Sequence, residues 1–329
     1  MSTTVFLDGL NQIGFSFGLA LAKNKKKFNC CGYDTERYII SEAKKQGAIN
    51  KVVSGVPQGL KVADIVVVDL PADLLEQHYE IIGEHARPGT VIIDTSAVPI
   101  EVGRLAEKFL SKDLHLVSMV PGLSFSALDE SKLRHEAARE DLFNDSRIAI
   151  SSPSLSVLDA EDVASKFAFL FGATPIYMDA LEVQVALVKT RLLPRLISAS
   201  LIQMLSNQPG WDEAKQLGSS DFYKTSFPVM NIFDIIEPGK EFLVNQELVL
   251  RMLDEYLVEL KFLRQSLASN TPEKFNEMIN GAIEQRAVWQ SNREKNSFRA
   301  MTNKETSGTS EMFRQMFLGG LGKSKPSDD

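Results

Sequence analysis

Short apolar runs alternate with longer amphipathic stretches through the first half of the chain. The runs 5–7, 28–33, 64–70, 90–94, 114–120, 147–151 and 174–178 are mostly apolar, and several stop at Asp, Gly or Pro. Between them, 13–23, 36–46, 72–85 and 100–110 carry apolar residues at helical spacing. A run without polar alternation belongs to a strand buried on both faces, and a helix after each strand is the crossover that parallel strands need. The pattern predicts an α/β fold with a doubly wound, parallel sheet and right-handed connections.

After residue 178 the strand signals stop. The stretch 182–207 reads as one long helix, and 241–268 as another, with Leu243, Leu248, Leu250, Leu253, Leu257 and Leu260 near helical spacing. Pro272 suits a first helical position and opens 273–295. Three parts are expected: an α/β domain over 1–178, an all-helical domain over 179–300, and a tail over 301–329. The tail is rich in Ser, Thr, Gly and Lys around a short apolar patch, 312–321, that suits a small docking helix. No internal repeat is visible. The Leu-rich stripe from 243 to 263 would lie exposed in a monomer, so a homodimer is expected.

Composition narrows the function. A formal net charge of −7 argues against a nucleic-acid partner. The basic run at 23–27 reads as a solvated helix end. The two cysteines, Cys30 and Cys31, are adjacent and should face opposite sides of a strand, which speaks against a disulfide framework and against a metal site. No secretory leader and no apolar stretch of about 18 residues is present, so a soluble cytoplasmic protein without a membrane partner is expected.

Candidate chemistry sits at the end of the first strand. Gly9-Leu10-Asn11-Gln12-Ile13-Gly14 follows a strand and opens a helix, the context in which a glycine-rich turn binds phosphate. Gly9 permits the turn, Gly14 lets helix and strand close, and the first helical amides face a pyrophosphate, aided by the helix dipole. Asn11 stands where such turns carry their middle glycine, and Asp8 places a charge where the strand is usually apolar. Asp34, twenty residues past Gly14, ends the second strand where a carboxylate binds ribose hydroxyls. The cofactor site is read as Gly9, Asn11, Gln12, Ile13, Gly14, Asp34, Leu70 and Pro71. It favours NAD over NADP, with Arg37 close enough to leave NADP open.

In this order and spacing, GLNQIGFSFGLALA, VADIVVVDLPADLL, RPGTVIIDTSAVPIEV, LHLVSMVPG, HEAAREDLFNDSRIAISS and LFGATPIYMDALEVQVALVKTRLLPRL resemble the prephenate/arogenate dehydrogenase family of tyrosine biosynthesis. The later stretch NQELVLRMLDEYLVELKFLRQSL resembles the family's dimer-forming helices. The resemblance implies a Rossmann-like N-terminal domain, a helical dimerisation and substrate domain, and NAD(P)-dependent hydride transfer from a small cyclic carboxylic acid.

It also exposes departures. Val120 stands at the family's catalytic histidine, Arg195 and Val183 at two further histidines, and Ala97 at a serine, with Ser96 beside it. Ser96 and Lys189 are the candidates for proton handling. Lys189 lies where related β-hydroxyacid dehydrogenases keep a catalytic lysine. Arg191 and Arg195 are the candidates for holding a substrate carboxylate, since a guanidinium binds it bidentately. The histidines that are present, His78, His85, His115 and His135, read as surface or cap residues. Three readings follow: an oxidoreductase of the tyrosine-pathway type, a dehydrogenase relying on Lys189, and a non-catalytic paralogue that binds a nucleotide as a regulator or partner.

Overall fold

The computed structural model describes residues 2–128, 132–152, 158–233, 235–269 and 272–295. The described residues divide into two compact units, with the division after Phe262. The first opens with β1 (Thr3–Asp8), α1 (Gln12–Ala22), β2 (Phe28–Tyr33), α2 (Arg37–Gln46), β3 (Lys51–Val52), α3 (Val56–Leu60), β4 (Ile65–Val68), α4 (Leu75–His85), β5 (Val91–Asp94), α5 (Pro99–Phe109) and β6 (His115–Pro121). Then come β7 (Arg147–Ser151), α6 (Leu158–Leu170) and β8 (Thr174–Tyr177).

The strands form one sheet in the order β3-β2-β1-β4-β5-β6-β7-β8. Successive side chains of each strand serve opposite faces. Val5, Leu7, Ile65, Val67 and Ile93 pack against α1, α2 and α6 through Phe15, Phe17, Leu21, Ile39 and Phe167. Phe6, Val66, Val68, Ile92 and Leu116 pack against α3, α4 and α5 through Leu60, Tyr79, Ile82 and Val102. Both faces are covered, which is why these strands read as uninterrupted apolar runs. Cys30 lies in one layer and Cys31 in the other, as their adjacency in a strand requires.

The parallel expectation fails at one seam. β7 runs antiparallel to β6, pairing Val120 with Ala149. A parallel pair needs a crossover across the sheet face. Between β6 and β7 the described residues form only two 3₁₀ turns, Phe125–Ala127 and Arg134–Ala137, which leave the chain at the sheet edge. β3, α3 and α6 went unpredicted. β3 is a two-residue edge strand and α3 is a single turn, both too short for a periodic signal.

The long helix expected over 182–207 is three pieces. α7 (Ala180–Leu187) starts at Asp179, whose carboxylate accepts the Glu182 amide at 2.8 Å while Glu182 accepts the Asp179 amide at 3.1 Å. A π-helical turn, Val188–Leu192, follows and leads into α8 (Leu193–Ser206). Pro194 has no amide to bond back one turn, so the ladder widens just before it. Beyond lie α9 (Trp211–Ala214), α10 (Ser220–Ser226), α11 (Lys240–Val244) and α12 (Gln246–Ala268), the expected helix 241–268 being interrupted at Asn245. α13 (Pro272–Glu294) belongs to the second unit. The docking helix expected at 312–321 lies outside the described residues.

Candidate functional site

β1 ends at Asp8 and the chain turns at Gly9 into α1. Gly9 has φ +93°, and a Cβ there would sit 2.3 Å from the Asp69 carbonyl oxygen. A Cβ on Gly14 would sit 2.4 Å from the Gly9 carbonyl oxygen. Only glycines let β1, α1 and the end of β4 approach this closely. The Leu70 side chain closes on the same turn, 3.1 Å from that Gly9 Cβ position, and Pro71 follows, half-buried.

The backbone ladder of α1 begins with the Phe15 amide on the Asn11 carbonyl, at 3.0 Å. The Gln12 and Ile13 amides precede it and need partners from outside the helix. Asn11 does not cap them. Its side-chain oxygen instead accepts Arg134 Nε at 3.3 Å. At the end of β2, Asp34 accepts the Leu10 amide at 3.0 Å and the Glu36 amide at 3.0 Å, so its carboxylate is fixed beside the turn. The predicted residues Gly9, Asn11, Gln12, Ile13, Gly14, Asp34 and Leu70 therefore meet at the carboxyl edge of the sheet. Two open amides, a glycine cradle and a carboxylate one strand away fit a dinucleotide.

The sequence reading missed the most unusual group. The Asp69 carboxylate accepts the Gly14 amide at 2.6 Å and the Thr95 hydroxyl at 3.2 Å. Burial pushes its carboxyl up to about 6, against the Gly14 amide, the Thr95 hydroxyl and the charge of Arg191. Its signal was present, as a lone acid inside the run VVVDLP.

Asp8 is fully buried and lies 2.7 Å from His78 Nδ1. Burial raises its carboxyl, and the His78 hydrogen bond and charge oppose that. The surface role expected of His78 is therefore corrected, since it is 8 % exposed. It shares the inward face of α4 with Leu75, Tyr79 and Ile82, at helical spacing. At the end of β5, Asp94 accepts the Tyr79 hydroxyl at 2.9 Å and the Ser96 amide at 2.8 Å, and burial raises this carboxyl too. Ser96 and Ala97 are both buried there.

Lys189 and Arg191 are exposed on the π-turn. The charge of Arg191 lowers the Asp69 carboxyl, against the effect of burial. Arg195, 7 % exposed, pairs with Glu241 at 2.8 Å, and Arg191 Nε lies 3.8 Å from the same carboxylate. Burial first, then Arg191, brings the Arg195 guanidinium down to about 10, with Glu241 opposing. Glu241 comes from α11, and nothing in the local sequence linked it to Arg195. Val120 is buried within β6 and Val183 within α7.

The doubly wound sheet, the glycine turn into α1 and the carboxylate at the end of β2 define a nucleotide-binding domain of the Rossmann type. Residues 17–152 match the family described as prephenate dehydrogenase, nucleotide-binding domain. The fold extends further. A prephenate dehydrogenase from A. aeolicus, solved in complex with hydroxyphenyl propionate and NAD+, superposes with a TM-score of 0.75 at 18 % identity, over 88 % of this chain and 98 % of its own. The Synechocystis arogenate dehydrogenase gives a TM-score of 0.66 at 17 % identity, over 87 % of this chain and 100 % of its own. At such identities the likeness establishes the shared fold.

Proposed function

We propose that this chain is an NAD-dependent oxidoreductase of the prephenate/arogenate type, acting on a small cyclic carboxylic acid. The observation that carries this reading is the helix start at Gln12 and Ile13, whose amides precede the first intrahelical bond, beside the close-packed Gly9 and Gly14, with Asp34 fixed one strand away. The amides would hold the diphosphate and Asp34 the adenosine ribose, which favours NAD and disfavours an added 2′-phosphate. NAD, when bound, supplies the hydride acceptor. Arg191 is the exposed guanidinium at this edge and would meet the substrate carboxylate first, with Arg195 behind it already balanced by Glu241. Ser96 and Lys189 remain the candidates for the substrate hydroxyl.

A second reading has its own support. Val120 can neither take nor give a proton, and loss of a general base costs about a hundred- to ten-thousand-fold. A non-catalytic paralogue that keeps the nucleotide site would look like this. Titration with NAD+ and NADP+, read by thermal shift or by Trp211 and Trp289 fluorescence, tests the cofactor. Absorbance at 340 nm with prephenate, arogenate and a panel of β-hydroxy acids tests the chemistry. NAD+ binding with turnover of a cyclic acid supports the enzyme. NAD+ binding with no turnover leaves the paralogue, and loss of activity in Lys189→Ala alone would turn the reading to β-hydroxyacid chemistry.

We further propose a homodimer. Leu217, Tyr223, Phe233, Ile236, Leu243, Leu250 and Val258 are exposed large apolar residues in the helical part of the first unit. Leu217, at 85 % exposure, also borders a groove of about 290 Å³ shared with Leu205, Trp211 and Phe222. Light scattering at micromolar concentration checks it. Among the described residues no helix is long and apolar enough to cross a membrane. The buried, unpaired Cys30 and Cys31 suit the reducing cytoplasm proposed as its location.

A further inference from the structure

We propose that Arg134 is a phosphate-binding residue of this site, a cation supplied from the β6–β7 connection in place of the missing middle glycine. The inference rests on the dinucleotide reading and adds to it a residue that the glycine motif does not predict.

Arg134 opens the 3₁₀ turn Arg134–Ala137 and has φ +53°, a left-handed conformation that a non-glycine residue adopts at a cost. The turn is docked on the start of α1. Gln12 Nε2 donates to the Ala137 carbonyl at 3.4 Å, and the Arg139 amide donates to Ser16 Oγ at 3.0 Å. Arg134 Nε reaches Asn11 Oδ1 at 3.3 Å, and Arg134 Nη2 reaches Glu36 Oε1 at 3.0 Å. The guanidinium therefore bridges the N-cap of α1 and the loop after β2, the two walls between which a nucleotide would lie.

Charge makes this position consequential. Asp8, Asp34, Glu36 and Asp69 all stand at or beside the turn, and a diphosphate would bring further negative charge among them. A helix terminus offers only about half a positive charge. Asn11 also keeps the anion farther from the backbone than a glycine would. A forked guanidinium held by Asn11 and Glu36 supplies both the missing charge and the reach. On binding, Arg134 trades the Glu36 carboxylate for a phosphate oxygen.

Calorimetric titration of the full chain with NAD+, ADP-ribose and adenosine, each at low and high salt, tests this. Arg134→Ala should weaken NAD+ and ADP-ribose by about 10- to 100-fold, the range of a charge-assisted hydrogen bond, and leave adenosine unchanged. The salt dependence of NAD+ binding should become shallower. Arg134→Gln, which keeps a polar side chain but removes the charge and the donor fork, should show the same loss if the alanine variant folds poorly. Glu36→Gln should tighten NAD+ binding. NAD+ affinity and salt slope unchanged in the folded glutamine variant, or tighter binding in it, would overturn the assignment while leaving the dinucleotide site standing. Wild-type protein that binds neither NAD+ nor ADP-ribose would remove the dinucleotide reading itself.

Discussion

The Asp69 carboxylate takes the amide of Gly14 at 2.6 Å, so the chain places its own anion against the helix end proposed to hold a diphosphate. The two anions share one pool of amides. Gly14 is given to the protein, and Gln12 and Ile13 remain for a ligand. The Gly14 amide, the Thr95 hydroxyl and the charge of Arg191 favour the Asp69 carboxylate against burial, which makes Asp69 the residue through which pH would act on binding.

That dependence has a definite sign. Burial raises the Asp69 carboxyl to about 6, above its value in an unfolded chain. The ionised form is therefore disfavoured by folding, the cost is fully present above about pH 6, and it is relieved as pH falls from 6 towards 4. Asp69→Asn should raise the melting temperature at pH 7.5 and lose that advantage near pH 4. It should also bind NAD+ more tightly at pH 7.5 and flatten the wild-type loss of affinity between pH 5 and 7.5. Affinity that is flat with pH in the wild-type protein would count against repulsion by Asp69.

The glycine cradle predicts a separation between stability and binding. Gly14→Ala places a methyl 2.4 Å from the Gly9 carbonyl, where backbone must move. It should cost about 2 to 4 kcal/mol of stability and abolish NAD+ binding. Gly89 has a positive φ, +83°, but lies in open space, so Gly89→Ala should cost only about 1 kcal/mol and spare binding. Chemical denaturation paired with calorimetry reads both.

Asp8 and His78 predict non-additivity. Replacing His78 by Leu strands a buried carboxylate at the end of β1 and should cost about 3 to 5 kcal/mol. Adding Asp8→Val removes the stranded group, and the double variant should recover most of the loss. A double variant as unstable as the sum of its singles would mean that the pair is not coupled.

Much of this architecture could be read from the chain. Every sheet strand but β3 was legible as an apolar run, most of them because both faces are buried, and α1, α2, α4 and α5 because their apolar faces repeat at helical spacing. The glycine turn and Asp34 were legible because their spacing is imposed by one strand-turn-helix unit. What escaped was set by contacts distant in sequence. Arg134 meets Asn11 across 123 residues, Arg195 meets Glu241 across 46, and His78 meets Asp8 across 70. No local pattern encodes such pairs. The antiparallel seam at β7 escaped for a related reason, because strand direction depends on where the connection travels and the apolar run says nothing of that.

The Arg195–Glu241 pair gives a last test, of how this edge recognises an anion. Arg195 is buried and already neutralised, whereas Arg191 shares the same carboxylate at 3.8 Å and stays open to solvent. If the two guanidiniums are a carboxylate clamp, Glu241 is the internal occupant that a substrate must compete with. Glu241→Gln keeps the hydrogen-bonding shape and removes the charge, leaving Arg195 uncompensated in a buried site. Stability should fall by about 1 to 3 kcal/mol. Small carboxylates should then stabilise the variant more than they stabilise the wild type, by mass action on the freed cations. Arg191→Ala in the same background should remove that extra stabilisation. Equal stabilisation of wild type and Glu241→Gln would place the substrate carboxylate elsewhere and leave the pair a structural strut between α8 and α11.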